Sequence, residues 1–171
     1  MSFLSRLFGT SPDPREALRP LWHRTVAIAR EPEWYADCGA QDSLEGRFDM
    51  ITAVLSLVLI RMEGDRLLAP QTALLTELFV EDMDGQLRQS GVGDLVVGKK
   101  IGTLMSTLGG RIGAYRTALS EEGNAALEEA ARRNVTMADE DRAGALAARL
   151  RSLQARLATT DADTLLDGTF S

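Results

Sequence analysis

The chain has 171 residues, 44% of them hydrophobic, which is enough for one globular domain with a core of its own. Nineteen Lys and Arg against 25 Asp and Glu give a formal net charge of -6, which argues against a general nucleic-acid binder because phosphate neutralisation needs a basic face. A single cysteine, Cys38, excludes an intramolecular disulfide, and no apolar run is long enough to span a bilayer, so the chain is expected to be cytoplasmic.

Residues 1–14 are predicted to be a short apolar tail that ends in a breaker rich in proline. The apolar side chains of this tail are Phe3, Leu4, Leu7 and Phe8. The tail is too short for a secretory signal. Two interpretations remain open: a disordered or docked tail, and an interfacial anchor whose side chains enter the lipid headgroup boundary. The second makes these four residues candidates for peripheral membrane contact.

Apolar residues at helical spacing predict a first helix over residues 15–30, with its regular part beginning near Pro20. A short helical turn is expected at residues 33–35. The next pattern, residues 43–63, is apolar on more than one stripe. We therefore expect it to be the central helix of the core.

A further helix is predicted to end near Arg88, and a polar turn joins it to a helix that begins at Asp94. Asp94 is placed to cap that helix through its side chain. Lys99 and Lys100 lie near the helix start, where cations oppose the macrodipole. They are expected to face Asp82, Asp84 or a partner, so the turn is predicted to be a surface for contact.

The helix over residues 98–119 contains Gly109 and Gly110, which favour a kink or a close helix crossing because interior glycine weakens a helix. A shorter helix over residues 124–133 and an amphipathic one over residues 139–157 follow. Residues 159–171 are polar and predict a flexible tail. The sequence thus predicts an all-α protein, a single compact domain of about six to eight helices over residues 15–158.

No set of residues at diagnostic spacing predicts an enzyme. Residues 93–100 nearly match the phosphate-binding pattern G-x-x-x-x-G-K-[ST], but a helix precedes them and Lys100 replaces the hydroxyl that would hold Mg²⁺. A calcium loop fails because Leu87 stands at the position of its obligatory glycine. His23 is the only histidine, and Cys38 is interpreted as structural. We predict no catalytic residue, no metal site and no cofactor.

Several blocks of sequence, in order along the chain, carry a resemblance to a known family. They are REPEWY at 30–35, DSLEGRFDM at 42–50, DMD at 82–84, GVGDLVVGKK at 91–100, GR at 110–111, AY at 114–115 and RN at 133–134. Together they resemble the ubiquinol-cytochrome c chaperone family over about residues 15–137. Two departures are Leu108 and Gly109 where the family has an aromatic pair, and the sequence EEGN where it has a turn rich in aspartate.

The resemblance implies an assembly factor for the respiratory cytochrome bc complex that binds newly made cytochrome b, works at the inner membrane and has a small partner protein. It implies no catalytic residue, and the acidic net charge predicts no nucleic-acid partner. For this chain, the expected location is the cytoplasmic face of the inner membrane. The alternative is a generic helical adaptor with another protein partner. Exposed apolar residues beside the polar turn would favour the chaperone, and an evenly polar surface would favour the adaptor.

The expected contact face combines the polar turn with one further helix. Its residues are Asp84, Arg88, Asp94, Lys99, Lys100, Arg111 and Tyr115. The competing interpretation is structural: Arg47 and Arg111 would form buried ion pairs with carboxylates such as Asp84 or Asp94.

Overall fold

Every regular element is a helix in the part of the chain that the computed structural model describes, residues 13–91 and 93–170. The α-helices are α1 (Arg19–Ala29), α2 (Glu33–Ala36), α3 (Leu44–Glu63), α4 (Thr72–Gln89), α5 (Asp94–Ser120), α6 (Ala125–Asn134), α7 (Ala143–Thr159) and α8 (Ala162–Leu166). Short 3-10 turns at Pro14–Leu18, Ala69–Gln71 and Glu140–Arg142 lead into α1, α4 and α7. The all-α prediction is confirmed.

Helix α3 lies at the centre of the molecule, as its several apolar stripes predicted. Ser43 caps it: its hydroxyl accepts a hydrogen bond from the Gly46 backbone N–H at 3.1 Å. All residues from 49 to 59 are buried, because α1, α5 and α7 pack against different sides of the helix. Ser56 donates to the Thr52 carbonyl at 2.6 Å, which satisfies its hydroxyl inside the core. Burial of apolar surface around α3 is therefore the main stabilising contribution to the fold.

Helices α4 and α5 form a hairpin joined by a short turn. Gly91 has a φ of 78°, in the left-handed region that favours glycine. The buried core residues of α4 end at Met83, and those of α5 begin at Leu108. Between these two, only Val97 is buried among the described residues. The end of the hairpin, residues 84–91 and 93–104, therefore lies mostly outside the main core, although Ile101 and Leu104 pack against it, and is named the hairpin end below.

The predicted N-cap of α5 is wrong, and so is one of the two interpretations of its paired glycines, the close helix crossing. Asp94 is not the N-cap: Gly93 takes that position without a side-chain bond, and the Asp94 carboxylate instead accepts from Arg88. Gly109 and Gly110 do not mark a close crossing, because no atom lies within 4 Å of a Cβ built on either glycine. Helix α5 continues through both of them without interruption.

The prediction of a flexible tail over residues 159–171 is also wrong for the described residues. Asp161 caps α8 by accepting a hydrogen bond from the Thr164 backbone N–H at 2.9 Å. Leu165 and Phe170 are buried, and Arg24 Nε of α1 donates to the Phe170 carbonyl at 2.9 Å. The segment is polar in composition, yet these two apolar side chains fix it against the body of the protein.

The apolar tail predicted for residues 1–14 lies almost entirely outside the described residues, and its membrane contact stays a prediction. At the first described position, the Asp13 carboxylate accepts from the Arg15 backbone N–H at 2.9 Å and opens the turn that leads into α1. None of the described helices combines the length and the apolar character needed to cross a bilayer.

Candidate functional site

The hairpin end carries an exposed apolar pair beside two lysines. Leu95 is 95% exposed and Val96 is 49% exposed, although both belong to a regular helix. Lys99 and Lys100 are exposed as well. Positions four residues apart lie on the same side of a helix, so Lys99 adjoins Leu95 and Lys100 adjoins Val96. The result is a small surface, the hairpin tip (Leu95, Val96, Lys99 and Lys100), that offers apolar contact and positive charge together.

Arg88 joins the two helices of the hairpin end. Its Nε donates to Asp84 Oδ2 at 2.7 Å, and its Nη1 donates to Asp94 Oδ1 across the turn. The hydrogen bond to Asp84, followed by the one to Asp94, raises the pKa of Arg88. Solvent screens the attraction between these exposed groups, so the network contributes little to the stability of the fold. The structure thus brings together three of the predicted site residues.

Arg111 belongs to a different, partly buried cluster at the packing contact of α5 with α3. Its Nη2 donates to Asp49 Oδ1 at 2.6 Å, and its Nη1 donates to the Thr52 hydroxyl. The second carboxylate oxygen of Asp49 accepts from the backbone N–H and hydroxyl of Thr136 at 2.9 and 2.7 Å. The predicted arginine pair therefore exists for Arg111, but its carboxylate is Asp49 rather than Asp84 or Asp94. For Arg47 the prediction of a buried pair is wrong, because Arg47 pairs with Asp42 at the surface.

Tyr115 is wrongly predicted as a member of an exposed contact face. Its side chain is fully buried, and burial raises the pKa of its hydroxyl. Along a helix that rises about 1.5 Å per residue, Tyr115 lies roughly 24 Å from Lys99. Arg111 pairs with Asp49 and Tyr115 is buried in the core, so the predicted contact face is limited to the residues of the hairpin end.

An open groove of about 990 Å³ lies between α4 and α5 and is named the acidic groove. Its apolar side chains are Leu59, Val80, Val97, Ile101, Met105 and Ile112. Its acidic side chains are Glu63, Glu77, Glu81, Asp84 and Asp94, and its basic ones are Arg15 and Arg88. This groove was not predicted from the sequence. The spacing of Glu77, Glu81 and Asp84, which places them on one side of α4, was the available signal.

A second groove, of about 750 Å³, lies on the opposite side of the hairpin and has a different charge pattern. Lys100, Arg111 and Arg133 line it together with Glu45 and Asp49, over apolar residues that include Phe48 and Leu104. The two grooves therefore present different electrostatic surfaces on the two sides of α4 and α5.

Other residues singled out in the sequence have structural surroundings. Trp34 is buried and its indole N–H donates to the Ile28 carbonyl at 2.6 Å, while the Tyr35 hydroxyl donates to the Ala29 carbonyl at 2.9 Å. Cys38 is buried, and burial raises the pKa of its thiol. His23 is exposed. Among the described residues, no group of His, Cys, Asp and Glu side chains could hold a metal ion.

Comparison with known proteins gives two matches. A family model described as ubiquinol-cytochrome C chaperone matches residues 36–171 of this chain. The crystal structure of the Cbp3 homolog from Brucella abortus is similar with a TM-score of 0.80 and 28% sequence identity, over 99% of this chain and 96% of that chain. No curated protein matches the chain.

Proposed function

This chain belongs to the ubiquinol-cytochrome c chaperone family, and from that membership we propose that it assembles the respiratory ubiquinol-cytochrome c oxidoreductase by holding newly made cytochrome b. The similarity to the Cbp3 homolog, which extends over nearly the whole of both chains, supports a common function as an assembly factor. The proposed function is binding, and it requires no catalytic residue. We include a small co-chaperone and the cytoplasmic face of the inner membrane in the proposal.

The single observation that carries the proposal is the hairpin tip. A membrane protein that has not yet been assembled offers apolar helices with charged ends. Leu95 and Val96 supply an exposed apolar contact, and Lys99 and Lys100 supply charge on the same surface. Adjacent exposed apolar side chains that are rimmed by charges are typical of interaction surfaces, whereas a single exposed apolar side chain is not. A generic adaptor with an evenly polar surface would not show them, so the tip favours the chaperone.

We expect two double variants at the tip to lose the client while keeping the fold. In Leu95→Ser/Val96→Ser the apolar contact is removed, and in Lys99→Glu/Lys100→Glu the charge is reversed. Each should lower co-purification of cytochrome b from membranes of the native host by about tenfold, since loss of an interface anchor costs about 1.4 kcal/mol or more. Thermal unfolding should change little, because exposed substitutions usually alter stability by less than about 0.5 kcal/mol.

Leu67→Ser provides the matched control. Leu67 is 75% exposed but lies in the connection between α3 and α4 rather than at the tip, so its replacement should leave client capture unchanged. Full recovery of cytochrome b by both tip variants would reject the tip as the contact surface. A wild-type chain that recovers no cytochrome b would reject the proposed function itself.

A further inference from the structure

The acidic groove has an excess of negative charge around an apolar floor. Five acidic and two basic side chains line it. Both arginines are already engaged: Arg15 Nη1 lies 2.8 Å from Glu81 Oε2, and Arg88 is held by Asp84 and Asp94. Glu77 forms no ion pair with any described residue, and it lies along the same rim. Arg116 pairs with Glu63, and Arg19 lies 3.4 Å from Glu81, so Glu77 is the rim carboxylate that no described ion pair compensates.

The groove is open to a partner of peptide size. Its volume of about 990 Å³ falls at the upper end of the roughly 300–1,000 Å³ typical of ligand pockets. The rim residues Glu77, Glu81 and Asp94 are exposed, and no described segment of the chain covers them. An amphipathic helix places its apolar side in such a groove and its charges along the rim.

We propose that the acidic groove binds the basic, apolar end of a transmembrane helix of the client on its cytoplasmic side. This inference rests on the proposed function. Membrane proteins carry an excess of Lys and Arg in the segments that adjoin their helices on the cytoplasmic side. Such a segment matches both properties of the groove: its apolar residues meet Val80, Ile101 and Met105, and its cations meet the carboxylates of α4. The hairpin tip, which is not part of the groove, contacts the apolar remainder of the client.

The direct test uses two fluorescent synthetic peptides of equal length and equal apolar content, one with lysines and one with glutamates at its end. Binding to the full chain is measured by anisotropy. The lysine peptide should bind at least tenfold more tightly than the glutamate peptide. Its affinity should fall between about 0.01 M and 0.15 M ionic strength, because the Debye length shortens from about 30 to about 8 Å. Equal affinity for the two peptides would overturn the proposal.

Ala73→Lys/Glu77→Lys tests the location, since both positions are exposed on α4 and line the groove. The variant should lose at least tenfold in affinity for the lysine peptide. Glu122→Lys/Ala155→Lys makes the same change in net charge at exposed positions outside the groove, and should retain most of the affinity. Equal losses in the two variants would show a general effect of net charge and overturn the assignment.

Two other occupants of the acidic groove, the chain's own first residues and a second copy of the chain, would give different results. Either result would overturn the proposal. If the chain's own first residues fill the groove, Leu7→Ser/Phe8→Ser should raise the affinity for the lysine peptide about tenfold. If a second copy fills it, the wild-type chain should form a dimer that Ala73→Lys/Glu77→Lys dissociates in sedimentation measurements.

Recovery of cytochrome b separates this inference from the proposed function. Recovery that is normal in the wild type and undiminished in Ala73→Lys/Glu77→Lys would reject the groove and leave the chaperone function standing. No recovery in the wild type would reject the function, while the peptide measurements would still decide whether the groove binds basic apolar helices.

Discussion

Arg111 and Asp49 connect three parts of the chain through one ion pair. Arg111 comes from α5, Asp49 from α3, and Thr136, which also donates to Asp49, follows α6. The Arg111 guanidinium also lies 5.6 Å from the centre of the Phe48 ring, within the range of a cation–π contact. A buried charge is tolerated only when it is paired and hydrogen-bonded, so each partner depends on the other.

We expect Arg111→Met to lower the free energy of unfolding by about 3–5 kcal/mol, because it leaves the Asp49 carboxylate buried without its cation. Urea unfolding measures this change. Arg116→Met, on the same helix, is the matched control: Arg116 pairs with Glu63 at the surface, where such pairs contribute about 0–1 kcal/mol. Equal small losses in both variants would show that the Asp49 pair does not stabilise the packing of α5.

Helix α5 contains glycines that no neighbour requires. Gly109 and Gly110 are exposed, have helical backbone and meet nothing within 4 Å of a built Cβ. Gly46 in α3 differs, since its Cβ would lie 1.9 Å from the Gln41 carbonyl oxygen. Glycine is thus sterically required at position 46 in α3, whereas at positions 109 and 110 it only lowers the stability of α5.

We expect Gly109→Ala and Gly110→Ala each to stabilise the protein by about 0.4–1 kcal/mol, since alanine restricts the unfolded chain and favours the helix. Gly46→Ala should destabilise it, because the backbone near Gln41 would have to move. Thermal unfolding of the three variants gives the comparison. Destabilisation by Gly109→Ala or Gly110→Ala would indicate that another helix packs closely against these glycines, as the sequence suggested.

The last residues of the chain contribute to the stability of the whole molecule. Leu165 and Phe170 are buried, and Gly168, with a φ of 64°, lies so close to α1 that a Cβ would meet the Pro20 carbonyl oxygen at 2.5 Å. The C-terminal segment therefore packs closely against the body of the protein beside α1.

We expect Leu165→Ala/Phe170→Ala to lower the free energy of unfolding by at least about 3 kcal/mol, because each buried side chain of this size contributes roughly 1.5–3 kcal/mol. Asp167→Ala, at an exposed position of the same segment, should have little effect. Urea unfolding is again the measurement. A loss below about 1 kcal/mol in the double variant would mean that packing of the segment against α1 contributes little to the free energy of unfolding.

The sequence predicted the features that depend on local pattern. The apolar stripes of residues 43–63 identified α3 as central, and Pro20 marked the start of α1. Contacts between distant positions were not predictable: Asp49 and Arg111 are 62 residues apart, and no spacing rule connects them. The C-terminal segment was wrongly predicted to be flexible, because its composition is polar and only two apolar residues determine how it packs. At the site, the lysines of the hairpin tip were predicted, whereas the groove needs α3, α4 and α5 together.

The central position of α3 has a consequence for how this protein is made. During synthesis at about 5–20 residues per second, α7 leaves the ribosome roughly 5–20 s after α3. Over that interval the apolar side of α3 that α7 covers in the finished molecule has no partner from its own chain. The core can close only after α7 has been made. A protein proposed to protect a nascent membrane client thus itself passes through seconds in which its own central helix needs protection.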